Sequence, residues 1–216
     1  MAKFMQDYYR MSALSITGSL EVTVTGLLRV PESAIQECGW RVAATLGAII
    51  AACDYKGHRC YASESTIGEW VGRDRKVVGQ HIQVLLEQGY IQEVPNNFAT
   101  KAYKLTSKVK MQEIYSYDSE PAIPSIVYDG FIPVYRKMVD DMSLSTAMIY
   151  GVVRKMSTRE KVESERSLAS VPIIMRVLGM ARNTVYNALT NDLAGYVESI
   201  LPTDIGDAVR YVATGI

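Results

Sequence analysis

Three cations stand within four positions, at Arg73, Arg75 and Lys76, and two carboxamides follow at Gln80 and Gln83. Guanidinium and ammonium groups bind phosphate or the O6 and N7 edge of guanine; a carboxamide suits adenine or phosphate. A second group of this kind lies at Arg182, Asn183, Thr184, Tyr186 and Asn187, with one charge but ample hydrogen-bonding capacity. Lys101, Lys104 and Arg210 add separate positive charges suited to phosphate. For these last three, plain solubility is nearly as good an account.

Other chemistries are poorly supplied. Cys38, Cys53, His58 and Cys60 are potential zinc ligands, but their spacing is not that of two CxxC pairs. The three cysteines read as reduced, partly buried thiols of a cytosolic protein, so no metal is expected. The chain has 14 tyrosines, and a tyrosine can attack a phosphate only beside groups that stabilise the developing charge. With two histidines, His58 and His81, and no GxxxxGK[ST] loop, an enzyme and a cofactor are both disfavoured. Tyr115 and Tyr117 fall in a polar stretch and read as packing residues.

The elements that would position the basic cluster can be read from periodicity and punctuation. ITGSLEVTVTG alternates apolar residues at Leu20, Val22 and Val24, which predicts a strand. Trp40 to Cys53 is apolar nearly all round and predicts a buried helix. Ser63 suits an N-cap for a short helix through Ile67, Trp70 and Val71, and Gly72 ends it. Asp74 suits the cap of the next helix. There Val78, Ile82, Leu85 and Leu86 form one apolar stripe. That leaves Arg73, Arg75, Lys76, Gly79, Gln80 and Gln83 pointing outward. Gly89 then stops the helix, GYIQEV predicts a strand, PNN a turn and KAYKLT the returning strand.

This plan occurs twice. Gly26, Val30 and Gly47 are matched 104 positions later by Gly130, Val134 and Gly151. At an offset of 107, Gly72, Arg75, Val78 and Ile82 are matched by Gly179, Arg182, Val185 and Leu189. At 106, Gly89-Tyr90-Ile91 is matched by Gly195-Tyr196-Val197. Loop-length differences account for the drift. In the second unit Ser170 is a candidate cap and Pro172 sits in the first turn. Ala181 stands where the first unit has Asp74, which weakens that helix start. AVRYVAT predicts the last strand, and the charged STREKVESER reads as a solvated loop.

Short helix, glycine turn, second helix and hairpin is the order of a winged helix-turn-helix. SESTIGEWVGRDRKVVGQHIQVLLEQGYIQEV resembles the helix-turn-helix domains of replication initiators and transcription regulators of bacterial plasmids and phages. The preceding YKGHRCYAS resembles the loop leading into that motif, and the likeness covers most of residues 40–106. It implies an α+β, mainly helical fold with two winged helix-turn-helix domains in tandem, an internal pseudo-dimer. The expected divisions are a first domain over 1–107, a linker over 108–124 around Pro121 and Pro124, and a second domain over 125–216.

Composition agrees with a globular protein. The 216 residues are 48% hydrophobic and 21% charged, enough for a real core without staples. The longest apolar run, Val42 to Cys53, is too short for the ~20 residues of a membrane span. MAKFMQDYYR lacks the apolar stretch of an export signal, so a cytoplasmic location is expected. The 23 basic residues balance 23 acidic ones, so polyanion binding must come from local placement, not bulk charge.

The expected function is sequence-specific binding of double-stranded DNA, by a transcriptional regulator of a plasmid or phage operon. A replication initiator that binds origin repeats uses the same chemistry. A protein-interaction module built on winged helices is the reading from another class. The DNA site is expected to be an imperfect inverted or direct repeat with unequal halves. The chain would act as a monomeric pseudo-dimer or a homo-oligomer.

Overall fold

The computed structural model describes residues 26–53, 58–96, 101–109, 130–157, 168–200 and 208–214. They form an α+β fold of helices and three small antiparallel sheets. Leu20, Val22 and Val24, most of the 108–124 linker and all of the STREKVESER loop but Ser157 lie outside the described residues.

The first half opens with β1 (Leu27–Pro31) and a short helix, α1 (Glu32–Cys38). α2 (Trp40–Ala52) follows and is buried along most of its length, as its nearly all-apolar composition requires. Next come β2 (Arg59–Cys60), α3 (Glu64–Val71) and α4 (Arg75–Glu87). The half closes with β3 (Ile91–Val94) and β4 (Ala102–Leu105), and β4 is the centre strand of a β2-β4-β3 sheet.

The second half repeats this order: β5 (Phe131–Tyr135), α5 (Arg136–Asp141), α6 (Leu144–Ser157), α7 (Val171–Leu178) and α8 (Arg182–Asn187). α8 widens into a π-turn over Ala188–Asp192, and β6 (Val197–Ile200) pairs with β7 (Arg210–Ala213). β5, α7 and β6 start and stop at the offsets of the sequence repeat. Even the hairpin closures correspond: Thr106 N–H donates to Tyr90 O and Thr214 N–H to Tyr196 O, each at 3.1 Å.

Two features go beyond the sequence expectation. The short helices α1 and α5 were not foreseen, because each buries only two residues and shows no period. The other is how the two halves are joined. β1 pairs antiparallel with β5, Leu28 facing Val134, Arg29 facing Pro133 and Val30 facing Ile132. One contiguous apolar core runs through both halves. Each short helix crosses to the opposite half, α1 against α7 and α5 against α3. At the second crossing Val139 lies against Gly72, and the Arg136 guanidinium stacks 4.8 Å from the Trp70 ring centre.

α2 and α6 press glycines onto this ribbon. A Cβ at Gly47 would lie 3.2 Å from the Arg29 carbonyl oxygen, and one at Gly151 would run into the Pro133 carbonyl. Arg29 and Pro133 are themselves repeat counterparts, so the same close approach is made on both sides. Glu32 adds an ion pair between the halves, 2.8 Å from the buried Lys155 ammonium. At the end of the first half Lys108 reaches Glu37 and the Gln88 carbonyl, and Val109 is buried. Both residues, expected in the linker, therefore pack on the first unit.

Candidate nucleic-acid interface

Two caps and a left-handed glycine set the angle between α3 and α4. Ser63 Oγ accepts from Thr66 N–H at 3.1 Å, and Asp74 Oδ1 accepts from Val77 N–H at 3.0 Å. Between the helices Gly72 takes φ 60° and ψ 41°, where a side chain would be strained. Arg73 N–H closes the turn on the Gly68 carbonyl at 2.9 Å, and a Cβ at Gly68 would strike the Arg73 carbonyl. The tight turn therefore needs glycine at both positions.

In α4 the buried positions are Val78, Ile82 and Leu85. Lys76, Gln80 and Gln83 fall on the opposite side at i, i+4 and i+7, and all three are exposed. This is the face the sequence singled out, and it presents one ammonium and two carboxamides in a row.

The neighbouring candidates are placed differently. Arg75 is exposed but ion-paired with Glu64 of α3, Nε to Oε2 3.1 Å. Such a surface pair is worth under about 1 kcal/mol, so exchanging the carboxylate for a phosphate or base edge costs little. Gly79, expected to face outward, instead faces the Glu64 carboxylate, which lies 3.7 Å from where its Cβ would be. Arg73 is half-buried beside His81 rather than free at the surface. Lys101 is exposed and paired with Glu93 at 2.9 Å.

Lys104 is half-buried in the centre strand, opposite Arg59 of β2 on one side and Gln92 of β3 on the other. The three form a row across the sheet. Like charges directly opposed in a ladder are unfavourable unless an anion offsets them, which marks Arg59 as a further candidate. Sequence reasoning passed over Arg59 because β2 is two residues long and carries no alternation of its own.

The second unit is built alike but dressed differently. Gly179 takes φ 65° and ψ 27° at the counterpart of Gly72. Neither Ser170 nor Ala181 makes a side-chain cap to its helix. Val185 is buried, while Arg182, Asn183, Thr184, Tyr186 and Asn187 are all exposed. Met175 and Tyr186 occupy the places of Gly68 and Gly79, and Val171 that of Glu64. Bulk thus replaces the close approach, and a groove of about 850 Å³ lies along Val171, Met175, Arg182, Tyr186 and Tyr211. Arg182 has lost the carboxylate its counterpart holds. Arg210 is half-buried, paired along the ladder with Ile200.

The titratable groups near α4 are quiet ones. Burial, with Arg73 and Arg41 close by, holds His81 below its ordinary range, and Thr45 Oγ1 lies 2.7 Å from its Nδ1. Burial pushes the Cys60 thiol up to about 11 and the Tyr103 phenol up to about 12. All three cysteines are free thiols. Among the described residues no three His, Cys, Asp or Glu side chains cluster as a metal site, and no helix is long and apolar enough to cross a membrane.

No protein-family model, curated protein or solved structure matches this chain. The functional reading therefore rests on the residues and their geometry.

Proposed function

We propose that this protein binds double-stranded DNA sequence-specifically, as two winged helix-turn-helix units joined in one chain. One observation carries the reading. α4 presents Lys76, Gln80 and Gln83 in line on the side opposite its buried Val78–Ile82–Leu85 stripe. A helix that enters the major groove needs such a face: long polar side chains able to reach base edges, held by an apolar back. The Arg59–Lys104–Gln92 row supplies phosphate-seeking groups on the adjoining β2-β4-β3 sheet. In the second unit Asn183, Tyr186 and Asn187 supply a less charged version.

The biological role proposed is regulation of a plasmid or phage operon, with initiation at origin repeats as the second use of the same chemistry. The Arg73, Arg75 and Lys76 cations beside these carboxamides favour a polyanion over a protein partner, so DNA is preferred.

Selection of bound duplexes from a random-sequence pool with the full chain tests the reading. A reader of base edges enriches a defined motif over successive rounds. A pool that stays random, or a chain that retains no duplex at all, would contradict it.

A further inference from the structure

We infer that the DNA site is an imperfect inverted repeat, centred on a pseudo-two-fold axis through the Arg29–Pro133 pair. The inference rests on the DNA-reading proposal above and narrows its partner. From sequence, inverted and direct repeats were equally open.

The axis follows from two independent contacts between the halves. In the β1–β5 ladder, exchanging each residue for its repeat counterpart turns the Leu28–Val134 pair into the Val30–Ile132 pair, and leaves Arg29–Pro133 unchanged. Only an antiparallel, isologous arrangement behaves so; units related by translation pair different surfaces. Secondly, α1 packs on α7 while its counterpart α5 packs on α3, the counterpart of α7. This last exchange carries the symmetry out to the helices that hold α4 and α8.

A duplex has two-fold axes across its own long axis. Two reading helices related by such an axis meet strands of opposite polarity, so their half-sites are inverted relative to each other.

The halves will not be identical, and the mismatch is specific. Arg75 and Arg182 are counterparts, so both halves share that contact. Gln80 and Asn187 are both carboxamides, which favour adenine. Lys76 answers to Asn183, and Gln83 to Thr190. The half-sites should agree under the first two pairs and diverge under the last two.

The test starts from the motif enriched by the full chain. Duplexes are made with that motif intact, with one half flipped in place to give a direct repeat, and with one half randomised. Flipping should weaken binding at least about ten-fold, as randomising should, since several base contacts are lost together. Selection repeated with Lys76→Asn should yield a more symmetric motif, because the two units then match at that position. Enrichment of a direct repeat, or unchanged affinity after flipping, would overturn the inference and leave DNA reading intact. Failure to enrich any motif would overturn both.

Discussion

Arg29 and Pro133 face each other across the β1–β5 ribbon, and each holds the other's place in the sequence repeat. The strand that opens each unit is therefore completed by the same strand of the other. The two units face each other across this ribbon as the halves of an isologous dimer do.

The glycines pressed onto that ribbon should be sensitive in a graded way. A Cβ at Gly47 meets Val30 Cγ2 at 3.0 Å, a side-chain methyl that can shift, and approaches the Arg29 carbonyl oxygen no nearer than 3.2 Å. At Gly151 it meets the Pro133 backbone as well as Ile132 Cγ2 at 2.7 Å. Alanine favours a helix over glycine by about 1 kcal/mol, which opposes the clash. Gly151→Ala should still destabilise the protein by ~1–3 kcal/mol, and Gly47→Ala by clearly less. Urea unfolding of both variants measures this; equal effects would mean that the ribbon contact is looser on the second side.

Duplex affinity should fall steeply with salt although the net charge is zero. Each phosphate contact contributes about −0.9 to the slope of log K against log salt. Lys104→Ala should lower the steepness by about one such contact, and Arg59→Ala likewise. Binding isotherms at several salt concentrations read the slope. A slope that neither substitution changes would remove the β2-β4-β3 sheet from the phosphate path.

His81 gives stability a dependence on pH. Burial and two nearby arginines depress its folded pKa below the ordinary 6.5, so the unfolded chain binds more protons as pH falls. Its neutral ring therefore favours folding above pH 6.5, and that contribution is lost as pH drops from there toward the depressed value. Melting temperatures of the protein and of His81→Gln should converge between pH 7.5 and 5.5. An identical decline in both would assign the pH dependence elsewhere.

Much of the local structure was legible because it depends on near neighbours. Ser63, Gly72 and Asp74 mark the helix ends through contacts three or four residues away, and the Val78–Ile82–Leu85 stripe follows from the helical period. What escaped depends on partners distant in sequence. Periodicity can predict a strand but not that β1 pairs with β5. The same holds for Glu64, which takes Arg75 and covers Gly79, and for Arg59, which aligns with Lys104 only when the sheet forms. The short helices α1 and α5, which join the halves, bury too few residues to leave a pattern.

The central claim is that the exposed face of α4 reads bases, and the ratio of affinities for the enriched duplex and an unrelated one tests it most directly. A Lys76→Ala, Gln80→Ala, Gln83→Ala variant keeps the buried stripe and should fold normally. Ile82→Ala, by contrast, should lose ~2–5 kcal/mol of stability through its cavity. For the triple variant, each lost base contact should remove ~1–3 kcal/mol of discrimination. Measured at one salt concentration, its affinity ratio should collapse toward that of the second unit alone. A ratio equal to that of the unsubstituted protein, in a variant with an unchanged melting temperature, would contradict the account.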